Sequence, residues 1–250
     1  PVKAAVALAF AAALALGWVL AARAVPPYLL PPPEAVLASA LTFFGSARQL
    51  AHLGATLVHI GASIAIAFVL GSLLALLAHE ARIAAPAIER RLTPFLNAFS
   101  GIGWTLLSVI WFGVSSFTVV FSITVVLLPF ALVNLREGLA AQDREMSEMA
   151  HSFGRSRARA MALVVLPALV PFAAATLRIM FGVAWKVALT AELFGGDRGL
   201  GYVVNIARQE YDTETIFTVI LFIILSVYLA DRFVFLRIER ATARRFGARR

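Results

Sequence analysis

The chain has 250 residues, of which 61% are hydrophobic and only 14% charged, with a mean hydropathy of +0.87, and this usage excludes a soluble enzyme. Lys and Arg number 22 against 14 Asp and Glu, a formal charge of +8, and only Lys3 and Lys186 are lysines; in so apolar a chain, an arginine excess points to membrane topology before nucleic acid. There are no cysteines, which removes disulfide frameworks, thiolate metal sites and cysteine nucleophiles.

A bilayer core takes about 20 apolar residues of helix. Residues 4–22 carry no charge and are read as a retained first span, with a signal peptide as the alternative because small residues precede Arg23. The chain begins at Pro1, so further residues are expected before it. An outer loop, 24–51, follows; its PPYLLPPP stretch reads as extended and residues 34–50 as an interfacial amphipathic helix. The second span is 53–78. Ser63, Ala67 and Gly71 recur along it at the spacing that lets helices approach closely. His52 and His59 share one face of its outer end, where packing is a better reading than ligation.

The uncharged run 92–135 is too long for one helix, since 44 residues at about 1.5 Å each reach about 66 Å. The cluster Gly113-Val114-Ser115-Ser116 divides it into spans 93–112 and 117–135. Ser115 and Ser116 resemble a nucleophile loop, but no later span supplies a histidine base. The loop 136–167 reads as a helix over 138–152, a reversal at Gly154 and a second helix over 155–166; composition leaves it either a docking knob or a solvated connector. Residues 168–194 form a fifth span despite Arg178, Lys186 and Glu192. Gly195 to Gly201, GGDRGLG, reads either as an anion cradle or as a re-entrant turn or protein contact. A last span, 214–232, is opened by the capping candidates Asp212 and Thr213.

Six spans put both termini on one side. Assigning that side to the cytoplasm places 16 of the 22 basic residues there, which satisfies the positive-inside rule. No phosphate loop is present, because neither lysine follows a glycine, and the four histidines show no metal-ligand spacing. Within the fifth span, Arg178, Trp185 and Glu192 are seven apart and share a stripe with Gly182 and Leu189. Arg178 and Glu192 stand about 21 Å apart along the axis, so each needs partners on other helices, either for packing or along a transport path. Lys186, beside Trp185, is a candidate to line a pathway for an anionic or aromatic solute.

Glu148-Met149-Ala150, Gly154 after three further residues, and Val164-Val165-Leu166-Pro167 after nine more closely resemble the E-A-A-x3-G-x9-I-x-L-P motif of ABC-importer permease subunits. Met149 and Val164 depart from it by apolar exchanges. The runs LRIMFGVAWKVALTAELFGGDRGLGYVV, LPPPEAVLASA and DRFVFLRIERATARRF are similar to the nitrate, sulfonate and taurine class, so the resemblance covers residues 28–246. It implies an all-α integral membrane protein with six transmembrane helices and the type I ABC importer permease (MetI-like) fold. It also implies a permease homodimer, two cytoplasmic P-loop ATPases and a periplasmic or lipid-anchored binding protein, in the bacterial inner membrane. By the same resemblance Glu148, Met149, Ala150, Gly154, Leu166 and Pro167 form the ATPase-coupling element. No cofactor or metal is expected on this chain, ATP and Mg belonging to the ATPase, and the chain is not itself catalytic. Arg178, Trp185, Lys186 and Glu192 are the translocation-pathway candidates. A stand-alone secondary transporter or channel is the alternative, but the inverted repeats it requires are not found.

Overall fold

The structure is a computed structural model that describes residues 2–81, 83–141 and 166–238. Among these residues the regular secondary structure is all helix. In chain order the helices are α1 (Val2–Ala24), α2 (Pro33–Gly45), α3 (Ala47–Glu80), α4 (Ala85–Asn97), α5 (Gly101–Phe112), α6 (Ser116–Ala140), α7 (Leu166–Gly195), α8 (Leu200–Gln209) and α9 (Thr213–Ile238). Widened π-type turns lie within α4 at Ile88–Leu92 and within α9 at Asp231–Phe235. By length and composition, α3, α6, α7 and α9 can each cross a bilayer, and the bent pair α4 and α5 forms a fifth candidate.

The core is a three-helix layer with α6 at its centre, packed between α3 and α7. Small residues explain how closely α3 approaches α6. Ser63, Ala67, Gly71, Ala75 and Ala78 are all buried on one face of α3. Ser63 donates its hydroxyl proton to the carbonyl of Val120 at 3.1 Å. A methyl added at Gly71 would lie 2.5 Å from Ala131 Cβ and 3.0 Å from the Leu132 amide nitrogen. Ile123, Leu127 and Ala131 of α6 and Met180, Ala184 and Ala188 of α7, all fully buried, fill the middle. A second cluster, Ala75, Ala78, Ile88, Leu135, Leu139 and Leu169, closes the end nearest Glu80.

At the opposite end, α2, α8 and α9 pack around this layer. Phe44 meets Phe222 with ring centroids 5.4 Å apart, and Thr218 donates to the Val36 carbonyl at 3.2 Å. Trp18 stacks on Phe217 and donates its indole proton to the Pro31 carbonyl at 3.1 Å, fastening α1 there.

Three elements differ from the sequence reading. The expected span 93–112 is not one helix: α4 and α5 meet at 87°. Ser100 stops one helix and caps the next by accepting the Gly103 amide at 3.3 Å, and Trp104 Nε1 donates across the bend to the Leu96 carbonyl at 3.0 Å. α5 alone, 12 residues, covers about 18 Å, little more than half a bilayer core. Second, the interfacial helix ends at Gly45, and α3 starts at Ala47, so residues read as surface helix extend α3 to 34 residues. Third, much of the segment after Gly201 is the helix α8 rather than loop. The expected turn at 113–116 is present: Gly113 has φ +72°, and Ser115 accepts the Thr118 amide at 3.2 Å. The expected cap of the last span is present too, with Asp212 accepting the Thr215 amide at 3.0 Å.

The Gly71 contact predicts that Gly71→Ala costs about 1–3 kcal/mol through overpacking of α3 on α6. Gly61→Ala, where nothing lies within 4 Å of the added methyl, should leave stability unchanged or slightly raised. Thermal unfolding midpoints of the two variants in one detergent check this; equal midpoints would contradict the α3–α6 contact.

Candidate functional site: a buried carboxylate beneath a glycine-rich loop

The last turns of α7 carry Glu192, the loop 196–199 follows, and α8 begins at Leu200. Glu192 is fully buried. A carboxylate removed from water is costly unless hydrogen bonds and opposite partial charge replace its hydration. Three donors reach it: Thr56 Oγ1 to Oε2 at 2.9 Å, the Gly201 amide to Oε2 at 2.8 Å, and His59 Nδ1 to Oε1 at 2.8 Å. Since a carboxylate only accepts, the His59 proton shared with it sits on Nδ1.

The same side chains solve a second problem. The first amides of any helix have no carbonyl within their own helix to bond. At α8 these groups are satisfied from two other helices. The Gly199 amide donates to His52 Nδ1 at 3.2 Å, the Leu200 amide to Thr56 Oγ1 at 2.7 Å, and the Gly201 amide to Glu192. His52, Thr56 and His59 lie on one face of α3, four and three residues apart. The amino-terminal end of α8 carries partial positive charge, which favours an anion there. The carboxylate, the threonine hydroxyl and the helix start therefore stabilise one another in a single network joining α3, α7 and α8.

Glycine is required where the loop passes Glu192. Gly199 has φ +110°, and a Cβ there would overlap the Glu192 carboxylate. At Gly201 an added Cβ would come within 2.6 Å of Glu192 Cβ. The loop is also tied to the turn before α6: the Ser115 amide donates to the Gly195 carbonyl at 2.9 Å, and Ser116 Oγ donates to Asp197 Oδ1 at 3.2 Å. Arg198 bonds Asp197 Oδ2 at 3.2 Å. Partial burial pushes the Asp197 carboxyl up, but the hydrogen bonds from Arg198, from its own backbone amide and from Ser116, with the guanidinium charge, together outweigh it and hold the group below the usual carboxylate range. It therefore stays ionised at mildly acidic pH.

The four residues singled out on α7 have separate surroundings. Glu192 belongs to the network just described. Arg178 forms a two-pronged ion pair with Asp231, Nε to Oδ1 at 2.7 Å and Nη2 to Oδ2 at 3.1 Å, which fastens α7 to α9. Trp185 is 2% exposed, edge-on to Phe181, and its Nε1 has no hydrogen-bond partner. Lys186 is exposed. The stripe Arg178, Trp185 and Glu192 is thus shared by spacing, but the structure does not gather it into one site. Of the coupling residues, Leu166 and Pro167 lie within α7, while Glu148, Met149, Ala150 and Gly154 lie outside the described residues.

The sequence reading missed Thr56 and took His52 and His59 for packing. Within the glycine-rich segment, one amide, that of Gly201, meets an anion, and that anion is the protein's own Glu192. The available signal was the spacing of His52, Thr56 and His59 on one helix face opposite a lone acidic residue. Among the described residues no group of three or more His, Cys, Asp or Glu is gathered as for a metal ion.

The network predicts that Gly113→Ala, which adds backbone strain but meets nothing, costs about 1–3 kcal/mol. Gly199→Ala adds the overlap with Glu192 to a similar strain and lowers the thermal midpoint further. Equal midpoints for the two variants would remove Glu192 from beneath the loop.

Comparison with known proteins accords with this architecture. Residues 4–243 match the family described as binding-protein-dependent transport system inner membrane component. The chain is 27% identical over 227 residues to the taurine transport system permease protein TauC of Escherichia coli K12, covering 87% of this chain and 81% of that protein. It is 31% identical over 205 residues to the formylaminopyrimidine transport permease protein ThiX of Halalkalibacterium halodurans, covering 80% of each. In fold it is similar to a chain of the MetNI methionine ABC transporter in an inward-facing conformation, with a TM-score of 0.67 at 19% identity over 77% of this chain and 95% of that one. An all-helical, multi-pass chain with this match along nearly its whole length belongs to the binding-protein-dependent transport system inner membrane components, as an ABC importer permease.

Proposed function

We propose that this chain forms the translocation pathway of an ATP-driven importer for a small anionic solute such as a sulfonate, and that it takes its motion from cytoplasmic ATPases through residues 136–167. The family match over residues 4–243 carries this reading. The relatives named for taurine and formylaminopyrimidine transport support a small polar solute. In the proposed assembly two copies of the chain pair in the membrane, each meets one P-loop ATPase, and a separate binding protein delivers the solute. ATP and Mg are held by the ATPase. Six crossings, with α1 as the first and α4 and α5 together as the third, put both termini in the cytoplasm and the glycine-rich loop on the far side, in keeping with the distribution of arginine.

Glu148, Met149, Ala150 and Gly154 are assigned to the contact with the ATPase. What supports a mechanical role is the continuity of α7. Its described part runs from Leu166 and Pro167, the last residues of the motif, to Gly195, three residues beyond Glu192. A displacement at Leu166 is delivered, over 30 residues or about 45 Å, to the network that fixes the loop and α8.

Lys186 is the pathway candidate that stands on open surface. It lies about 13 Å inside the Gly195 end of α7, too deep for its side chain to reach the interface easily. A lone cation at that depth is costly against lipid, and a water-filled path is the environment that suits it. Gly182, one turn away, leaves open space beside it. We assign Lys186 to the solute's anionic group. Arg178, Trp185 and Glu192 shape the wall from behind, through the α9 ion pair, the core and the loop network.

The test is ATP-driven uptake by the complex reconstituted in liposomes with its ATPase and binding protein. Gly154→Asp should insert normally yet abolish uptake, and Lys186→Met should raise KM by about tenfold, the effect of one lost charge-assisted contact. Normal uptake by Gly154→Asp would overturn the coupling assignment, and unchanged kinetics for Lys186→Met would overturn the pathway assignment.

A further inference from the structure

Between residues 51–59 of α3, the start of α6 and the glycine-rich loop lies an open cavity of about 700 Å³. His52, His59, Ser116, Asp197 and Arg198 give it a polar side, and Val58, Phe117 and Val120 form an apolar wall. The hydrogen bonds already made decide what its polar groups can still offer. Both oxygens of Asp197 are engaged, by Ser116 and by Arg198. Ser116 spends its only proton on Asp197. Arg198 spends one of its five N–H donors there, and its side chain is 60% exposed. His52 accepts the Gly199 amide at Nδ1, which places its own proton on Nε2 and makes that atom a donor. The amides of Ser116 and Phe117, first in α6, have no carbonyl within their own helix. Arg198 and His52 Nε2 therefore keep donors, with a guanidinium charge among them, while Asp197, whose oxygens can each take a further hydrogen bond, and His59 Nε2, opposite the Nδ1–H given to Glu192, remain as acceptors.

We propose that this cavity docks the oxyanion group of a small solute, a sulfonate or carboxylate, with Arg198 and His52 as its donors and Val58, Phe117 and Val120 against its carbon chain. The site deepens the permease reading and rests on it, as the place where solute released by the binding protein first meets this chain. It is separate from Lys186, which lies deeper along α7. It also adjoins the Glu192 network through two shared residues. His52 holds the Gly199 amide, and His59 holds Glu192, so a solute drawing on His52 acts on the side chains that fix the loop.

A chain without cysteine permits a direct test. Val58, 66% exposed on the cavity wall, is changed to Cys in the assembled complex in nanodiscs, and Tyr28, 63% exposed in the loop before α2, is changed to Cys as the control. Each is treated with anionic sulfonatoethyl methanethiosulfonate and with cationic trimethylammonioethyl methanethiosulfonate. The anionic-to-cationic rate ratio at Val58→Cys should exceed that at Tyr28→Cys by about tenfold. Adding Arg198→Gln should bring it down to the control value, Arg198→Lys should largely restore it, and excess ethanesulfonate should slow the anionic reaction. Equal ratios at the two cysteines, indifference to Arg198→Gln, or slowing by phosphatidylglycerol in the disc but not by ethanesulfonate would overturn the proposal. Labelling requires neither ATP nor uptake, so a complex that fails to transport would overturn the permease reading and leave the cavity result standing.

Discussion

A carboxylate buried at one end of the helical layer is the constraint on which the rest of the structure depends. Glu192 can remain there only if its hydration is replaced, and the replacement comes from three separate parts of the chain: Thr56 and His59 on α3, and the Gly201 amide at the start of α8. Once those donors are committed, the direction of α8, the glycines that pass the carboxylate and the register of α3 against α7 are all fixed. The unmet amides of a helix start and an unhydrated anion would each cost free energy alone, and each removes the other's penalty.

The remaining packing carries that constraint down the bundle. Small residues on α3 let it lie against α6 over most of its length, and α6 in turn packs along α7. The Arg178–Asp231 pair ties α7 to α9 toward the other end. α7 is thus held at Glu192, along its core face and at Arg178, and the same helix carries Leu166 and Pro167. An element fixed at several depths moves as a body.

Much of this was legible in the sequence because it follows from local chemistry. Apolar runs located the long helices, Asp212 and the Gly113 turn marked their ends, and Ser63, Ala67 and Gly71 announced a close helix contact. Arg178 and Glu192 were recognised as needing partners on other helices. Which partners could not be read: Glu192 and His59 are 133 residues apart, and one of the three donors to Glu192 is a backbone amide, which has no sequence signature. The 87° bend between α4 and α5 was missed for a related reason. Both halves are apolar, so hydropathy runs straight through Ser100, and the bend is set by one serine cap and one indole hydrogen bond. The length of α3 was underestimated because its first two turns carry Arg48, Gln49 and His52, residues that look like surface until α8 packs against them.

The central claim is that the Glu192 carboxylate holds the loop and the start of α8 in place. Amide hydrogen exchange across Gly199 to Gly201 in the assembled complex tests it most directly. The account predicts slow exchange at these amides in the native chain and fast exchange, at the rate of an open loop, in Glu192→Ala, with the amides in the middle of α6 unchanged in both. Equally slow exchange at Gly199 to Gly201 in the two proteins would contradict it.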